Sequence, residues 1–386
     1  MRWIGPALVL VVAGCSASND SPKSGQGAAG LALLGSDGAT TALALADPAA
    51  NARASGCLSS GLSRDVVLPS TPTIDHQILL VDRLKAQLVW IAPAGCQVVR
   101  TLAVDTGFAA DPHDVVSLSA TKAYVTRAAT NPTPGAVADD AGADLLIVDP
   151  SAGAVVGRVD LSGQATSADL QAQPDRALVA NGKVWVSLAN RSADGKTVGR
   201  GRVVAIDPTT NAIALTVDLP AFKGCSGLDY LPATKDLVVG CAGDPNDTPD
   251  NRIAQSAVAL VNIGAASPSV MTSIGAAGNR PFSATQLAAI GDDFILAVSP
   301  AAAGMPDSLY RLELDSGTAT LVIDAGGSGG FGGVAWDSVR RHAYLADGAA
   351  MVVRVFDVSN PRDTPQVTTF PVTAPMPTIA LQLAFY

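Results

Sequence analysis

The sequence has almost no glutamate. Of 34 acidic residues one, Glu313, is glutamate and the rest are aspartate. Glutamate favours helix interiors and aspartate favours turns, so this imbalance argues against a helical protein and for a chain with many reversals. Histidine is nearly as scarce: His76, His113 and His342 stand far apart, with no H-x-H or H-E-x-x-H spacing, which excludes a multi-histidine metal site. Lys and Arg number 25 and the net charge is −9, the wrong sign for a protein that neutralises nucleic-acid phosphates. After the first few residues no apolar run approaches the roughly 20 residues that a membrane-spanning helix requires. The letters G-x-S-x-G occur at 326–330, but in a glycine-rich loop, not a strand-to-helix turn, so no hydrolase elbow is read there.

What is present starts with the N-terminus. Arg2 precedes a short apolar run to Ala13, broken by Gly5 and Pro6 and ending in small residues, the layout of a secretory signal. Its end, Val12-Ala13-Gly14-Cys15, resembles the bacterial lipobox. That resemblance implies a signal peptide over 1–14, cleavage before Cys15, diacylglycerol on its thiol and acylation of the new amine. Ser16 is compatible with sorting to the outer membrane. The expected location is therefore the bacterial cell envelope, with membrane lipid as the partner of Cys15. Residues 15–70 are rich in Ser, Ala and Gly, hold no aromatic residue, and read as a lipidated tether.

From about residue 71 short apolar runs alternate with turn residues. "DLLIVDPSAGAVVGRVDL" (144–161) returns as "GRVVAIDPTTNAIALTVDL" (201–219), each a strand, an Asp-Pro corner, a Gly or Asn, and a second strand. Looser copies recur every 45–60 residues along the chain, and a second hairpin precedes each. Two hairpins per unit make a four-stranded antiparallel sheet, and such sheets arranged radially make a β-propeller. "AYVT" (123–126), "AYLADG" (343–348) and the Asp-Pro hairpins resemble the YVTN-type propeller repeats of exported bacterial proteins. The expected fold is thus all-β: a propeller over 71–386 of six four-stranded blades, in which the C-terminal strand "PTIALQLAFY" closes the ring by completing the first blade, that of "HQILLVDR" (76–83). Seven blades follow if residues 30–70 supply strands.

Four cysteines remain in an exported chain, allowing two disulfides in three connectivities, or four buried thiols. "CSGLDYLPATKDLVVGC" (225–241) reads as one hairpin; a register symmetric about Ala233 sets Leu228 against Val238 and Cys225 against Cys241. Elimination then pairs Cys57 with Cys96. Long polar loops near 127–143, 189–200, 242–254 and 299–306 are expected on one face, where a rigid scaffold carries binding. In the third, Asp244, Asp247 and Asp250 are candidate Ca²⁺ ligands, although the spacing is not that of an EF-hand. His113, in "DPHDVV", falls at the entry to an innermost strand and is a candidate binding residue.

These features point first to a membrane-anchored, non-catalytic envelope lipoprotein whose propeller binds a protein or small-molecule partner. The alternative is a metal-assisted hydrolase of the lactonase class, using channel Ca²⁺ and acidic groups. Glu313 falls in an outer hairpin and cannot supply that chemistry. The channel separates the two readings: catalysis gathers convergent carboxylate, amide or imidazole groups there.

Overall fold

In the computed structural model, residues 30–50, 54–291, 293–302, 305–326, 330–373 and 379–386 are described. Cys15 and the stretch read as a signal peptide, 1–14, lie outside these residues. Among the described residues the chain forms seven four-stranded antiparallel sheets, the blades of a β-propeller. Blade 2 is Val66–Val67, Ile78–Asp82, Gln87–Ala92 and Gln97–Ala103; blade 3 is Pro112–Ser119, Lys122–Thr130, Gly142–Asp149 and Ala154–Asp160. Blade 4 opens with Pro174–Ala180, blade 5 with Cys225–Leu231, blade 6 with Leu287–Ile290 and blade 7 with Phe331–Asp337. In each of these the strands run in chain order from the central channel outward. No helix among the described residues is long and apolar enough to cross a membrane.

Strand position explains the residue pattern. The middle strands of a blade are covered on both faces by the neighbouring blades, so they read as continuous apolar runs. In Lys183–Leu188 every residue from Val184 onward is buried. Outermost strands have one exposed face and alternate, as Ala212–Lys223 does over its first half. Each pair of adjacent blades closes over its own apolar cluster, giving seven such clusters around the ring. The Asp-Pro corners work as their chemistry dictates. The Asp149 carboxylate accepts from Ser151 Oγ and Ala152 N, the Asp207 carboxylate from Thr209 N and Thr210 N, and Gly153 and Asn211 take the left-handed conformation at φ +62° and +57°.

The C-terminal strand closes the ring, but into a blade other than expected. Ile379–Phe385 is the innermost strand of blade 1, whose other strands are Leu31–Ser36, Thr41–Ala46 and Ser55–Leu58. Leu31 pairs with Phe385 and Leu34 with Gln382, while Gly30 and Tyr386 exchange backbone hydrogen bonds. A second tie lies at the rim, where Ala54 bridges Val372 of blade 7. This corrects two expectations. The lead count of six blades gives way to seven, and the 15–70 tether gives way, from residue 31 on, to a blade packed into the ring; the propeller begins well before residue 71. Leu31, Ala32 and Leu33 are fully buried. Their Ala- and Leu-rich composition lacks the Val, Ile and aromatics that mark a strand, so burial between blades 7 and 2, not local propensity, makes them strands.

Both disulfides are formed as paired in the sequence. Cys225–Cys241 joins the first two strands of blade 5, and Cys57–Cys96 joins the outermost strand of blade 1 to a turn of blade 2. The hairpin register differs by one residue: Leu228 faces Val239, not Val238, because the turn is longer. A shift between Cys225 and Gly227 adds one residue and restores the cysteine pair.

Candidate functional site: a loop-rich face over the central channel

The connections between the second and third strands of every blade lie on one face. Those of blades 1, 2 and 7 are four residues long: 37–40, 83–86 and 348–351. Those of blades 3 to 6 are long, 131–141, 189–199, 243–255 and 300–307, and they are consecutive around the ring. They are also fixed. The Asp140 carboxylate accepts from the backbone N–H of Gly135, Ala136 and Val137, which holds it below its ordinary range. Asn246 Nδ2 donates to Gly195 O and Lys196 O, joining the loops of blades 4 and 5. Asp307 accepts from Gly330 N and Phe331 N, joining blade 6 to blade 7.

The acidic loop 243–255 uses its carboxylates on itself. Asp244 accepts from Asn246 N and lies 3.6 Å from Lys223 Nζ. Asp247 accepts from Thr248 N, Asn251 Nδ2 and Gln255 Nε2, and Asp250 occupies the first turn of the short helix Pro249–Ala254. The three do not converge, and no group of three or more His, Cys, Asp or Glu side chains among the described residues is arranged to hold a metal ion.

His113 stands at the entry to the inner strand of blade 3, between two carboxylates. Its Nδ1 is 3.0 Å from Asp175 of blade 4 and its Nε2 is 3.1 Å from Asp111. Burial pulls the imidazolium pKa down, but the charge of Asp175, then the hydrogen bonds to Asp111 and Asp175, outweigh it and raise it to about 9. That shift favours the imidazolium as a link in a chain of charges, in which Arg83 Nη2 also stands 2.8 Å from His113 Nε2. Arg83 of blade 2 holds Asp65 and Asp111, and Asp175 leads to Arg176. The arrangement spans three blades and fits His113 for holding charge, not for exchanging protons near neutral pH.

Below this face the inner strands enclose a cavity of about 260 Å³. Six of the seven blades line it, largely with Leu, Val, Ala and Gly. Among the described residues that line it, the charged groups are Arg176 and Asp229. Asp229 accepts from its neighbour Tyr230 N and from Ala289 N of blade 6, a bond that ties one inner strand to the next. Asp114 does the same for blades 3 and 4, accepting from Ala177 N.

Arg176, Arg83, Asp111 and Asp175 did not stand out in the sequence. The signal that finds them is alignment of blade entries: "PHD" (112–114) and "PDR" (174–176) open successive inner strands. The hydroxyls of Thr126 and Ser187 accept from the backbone N–H of Asp114 and Arg176, marking these as equivalent positions.

No family description matches the chain, and no curated protein matches it. Solved structures do. A protein from Lactobacillus plantarum is similar over 92% of this chain and 99% of its own, at a TM-score of 0.63 and 11% identity. A candidate 6-phosphogluconolactonase from Bacteroides fragilis covers 92% and 98%, at 0.60 and 11%. Another from Bacteroides uniformis covers 92% and 99%, at 0.59 and 13%. At these identities the likeness is one of fold.

Proposed function

We propose that this chain is a lipid-anchored envelope protein whose propeller is a binding module, presenting the loop face of blades 3 to 6 to its partner. The observation that carries the reading is the grouping of the four long loops. They are consecutive and held by side-chain hydrogen bonds, while the other three blades keep four-residue connections. The anchor rests on Val12-Ala13-Gly14-Cys15. Several acyl chains, at about 0.8 kcal/mol per buried CH₂, hold a soluble domain firmly at a membrane.

The test is photo-crosslinking in intact cells. A crosslinker at Val137 or Lys196, both exposed on the loop face, should capture an envelope component, and one at Val156, exposed on an outermost strand, should not. Equal capture from both positions would sink the loop face as the binding surface. Palmitate labelling should disappear in Cys15→Ser; persistent labelling would remove the anchor.

The second reading, a lactone hydrolase, draws on the two Bacteroides neighbours. The cavity favours binding over that reading, because its carboxylate, Asp229, is engaged by backbone N–H groups. Turnover of 6-phosphogluconolactone by the purified protein with Ca²⁺ supplied would reverse this preference.

A further inference from the structure

The channel wall carries a guanidinium whose hydrogen-bonding capacity is largely unused. A guanidinium has five N–H donors in one plane. Among the described residues Arg176 uses one of them, Nη1 to Leu68 O, at 3.4 Å, long for an N–H···O bond. Two carboxylates stand near it, Asp114 at 3.9 Å and Asp175 at 3.8 Å, beyond hydrogen-bonding distance. Both are engaged elsewhere. Asp114, fully buried, accepts from Ser70 N, Ser70 Oγ, Val115 N and Ala177 N. Asp175 is paired with His113. The Arg176 side chain is 20% exposed and lines the 260 Å³ cavity, where it is the one cation among the described lining residues.

A cavity of about 150 Å³ suffices for a benzene molecule, so this one has room for a small organic guest. A planar fork with unused donors facing a recessed cavity matches a carboxylate, which accepts two parallel N–H···O bonds. Thr71, Thr285 and Gln382 line the same space for polar substituents, and Leu178, Leu228 and Leu383 for an apolar body. The carboxylates of Asp114 and Asp175, 3.9 and 3.8 Å from the fork, set the charge of the guest. They hold the guanidinium by charge without occupying its donors, and they repel a second negative charge.

From this geometry we infer that the channel binds a small monoanionic organic carboxylate on Arg176. The inference deepens the reading of the propeller as a binder and rests on it. It places a small-molecule site beneath the face that meets a larger partner.

The test uses the purified full chain labelled with ¹⁵N-arginine, and benzoate, acetate and inorganic phosphate as probes. The Arg176 Nε–H resonance, assigned by its loss in Arg176→Gln, should shift saturably with benzoate in the low millimolar range, and less with phosphate. Benzoate should raise the melting temperature of the wild type and of Arg362→Gln, a surface control on the opposite face. Arg176→Gln should bind it roughly tenfold more weakly or worse. Arg176→Lys, which keeps the charge without the fork, should fall between. Absence of a saturable shift with any probe, equal stabilisation of Arg176→Gln, or phosphate binding as tightly as benzoate would overturn the inference. If Arg176→Gln does not fold, the wild-type titration decides, with the Arg176→Lys spectrum supplying the assignment. Anion binding without crosslinks from the loop face would remove the loop-face reading and leave this site standing; crosslinks without anion binding would do the reverse.

Discussion

Arg127 and Arg176 lie in adjacent blades, each beside an aspartate, and they do opposite things. Arg127 is fully buried, and all five of its donors are used: two on Asp144, the rest on Val104 O, Thr106 Oγ1 and Asp139 O. Phe108 covers its face at 5.2 Å. It staples the entry to blade 3 and the loop 131–141 to one carboxylate. Arg176 has one long hydrogen bond and a cavity in front of it. Residue type and a nearby carboxylate are therefore poor guides to role. What separates the two is how many donors remain for something outside the chain.

Three perturbations sharpen or break this contrast. The largest effect belongs to Arg127→Ala, which leaves Asp144 buried with only Arg158 beside it. Removing one partner of a buried pair costs about 3–5 kcal/mol, to be read as a lower urea midpoint at unchanged slope. A loss below 1 kcal/mol would show that Arg127 is not the staple described.

The second effect is pH dependence through His113. Its folded pKa, about 9, lies above its ordinary 6.5, so its contribution is complete below about pH 6.5 and fades as the pH rises through 9. Asp111 and Asp175 are shifted the other way: burial raises each, but His113 outweighs it, so their contributions are lost on acidification below the ordinary carboxylate range. Stability should therefore fall by on the order of 2 kcal/mol between pH 6.5 and 9.5, and His113→Gln should flatten that slope. An unchanged slope in the variant would mean that His113 is not charged.

The smallest effect is expected for Arg176→Gln in the absence of ligand. Asp114 loses a charge partner at 3.9 Å but keeps its four hydrogen bonds, so the variant should lose clearly less stability than Arg127→Ala, about 1 kcal/mol. A loss matching that of Arg127→Ala would erase the distinction and make Arg176 a structural residue.

Much of the ring was legible because propeller turns are chemically specific. Asp149 accepts from Ser151 Oγ and Ala152 N, Asp207 from the backbone two and three residues on, and such corners recur at a readable period. Blade 1 was legible only as the alternative of strands within residues 30–70: Leu31–Ala46 carries a weak strand signal, and its partner strand lies at the far end of the chain. The Cys225–Cys241 pair was found through a register one residue off, which the shift between Cys225 and Gly227 compensates. His113 could be placed at an inner-strand entry from local sequence. Its partner Asp175 could not, because the contact depends on how two blades pack across 62 residues. Arg176 was hidden for a similar reason: "PDRALVA" reads as an ordinary half-buried strand, and only assembly of the channel leaves its donors unmatched.

The way the ring closes also sets an order of events. Three strands of blade 1 precede all other described strands along the chain, yet their innermost partner, Ile379–Phe385, follows them all. Until it pairs, Leu31 and Leu34 have no strand on their channel side, and an open strand edge is a template for mispairing. Cys57–Cys96 requires only blades 1 and 2, so oxidation can fasten the incomplete blade to its neighbour long before the final strand arrives. A chain that halts early retains that covalent link but never acquires a complete ring. Completion of the chain is thereby written into the fold as a checkpoint: the disulfide holds the outer side of blade 1 to blade 2, while its channel-side edge stays open until Ile379–Phe385 pairs with it.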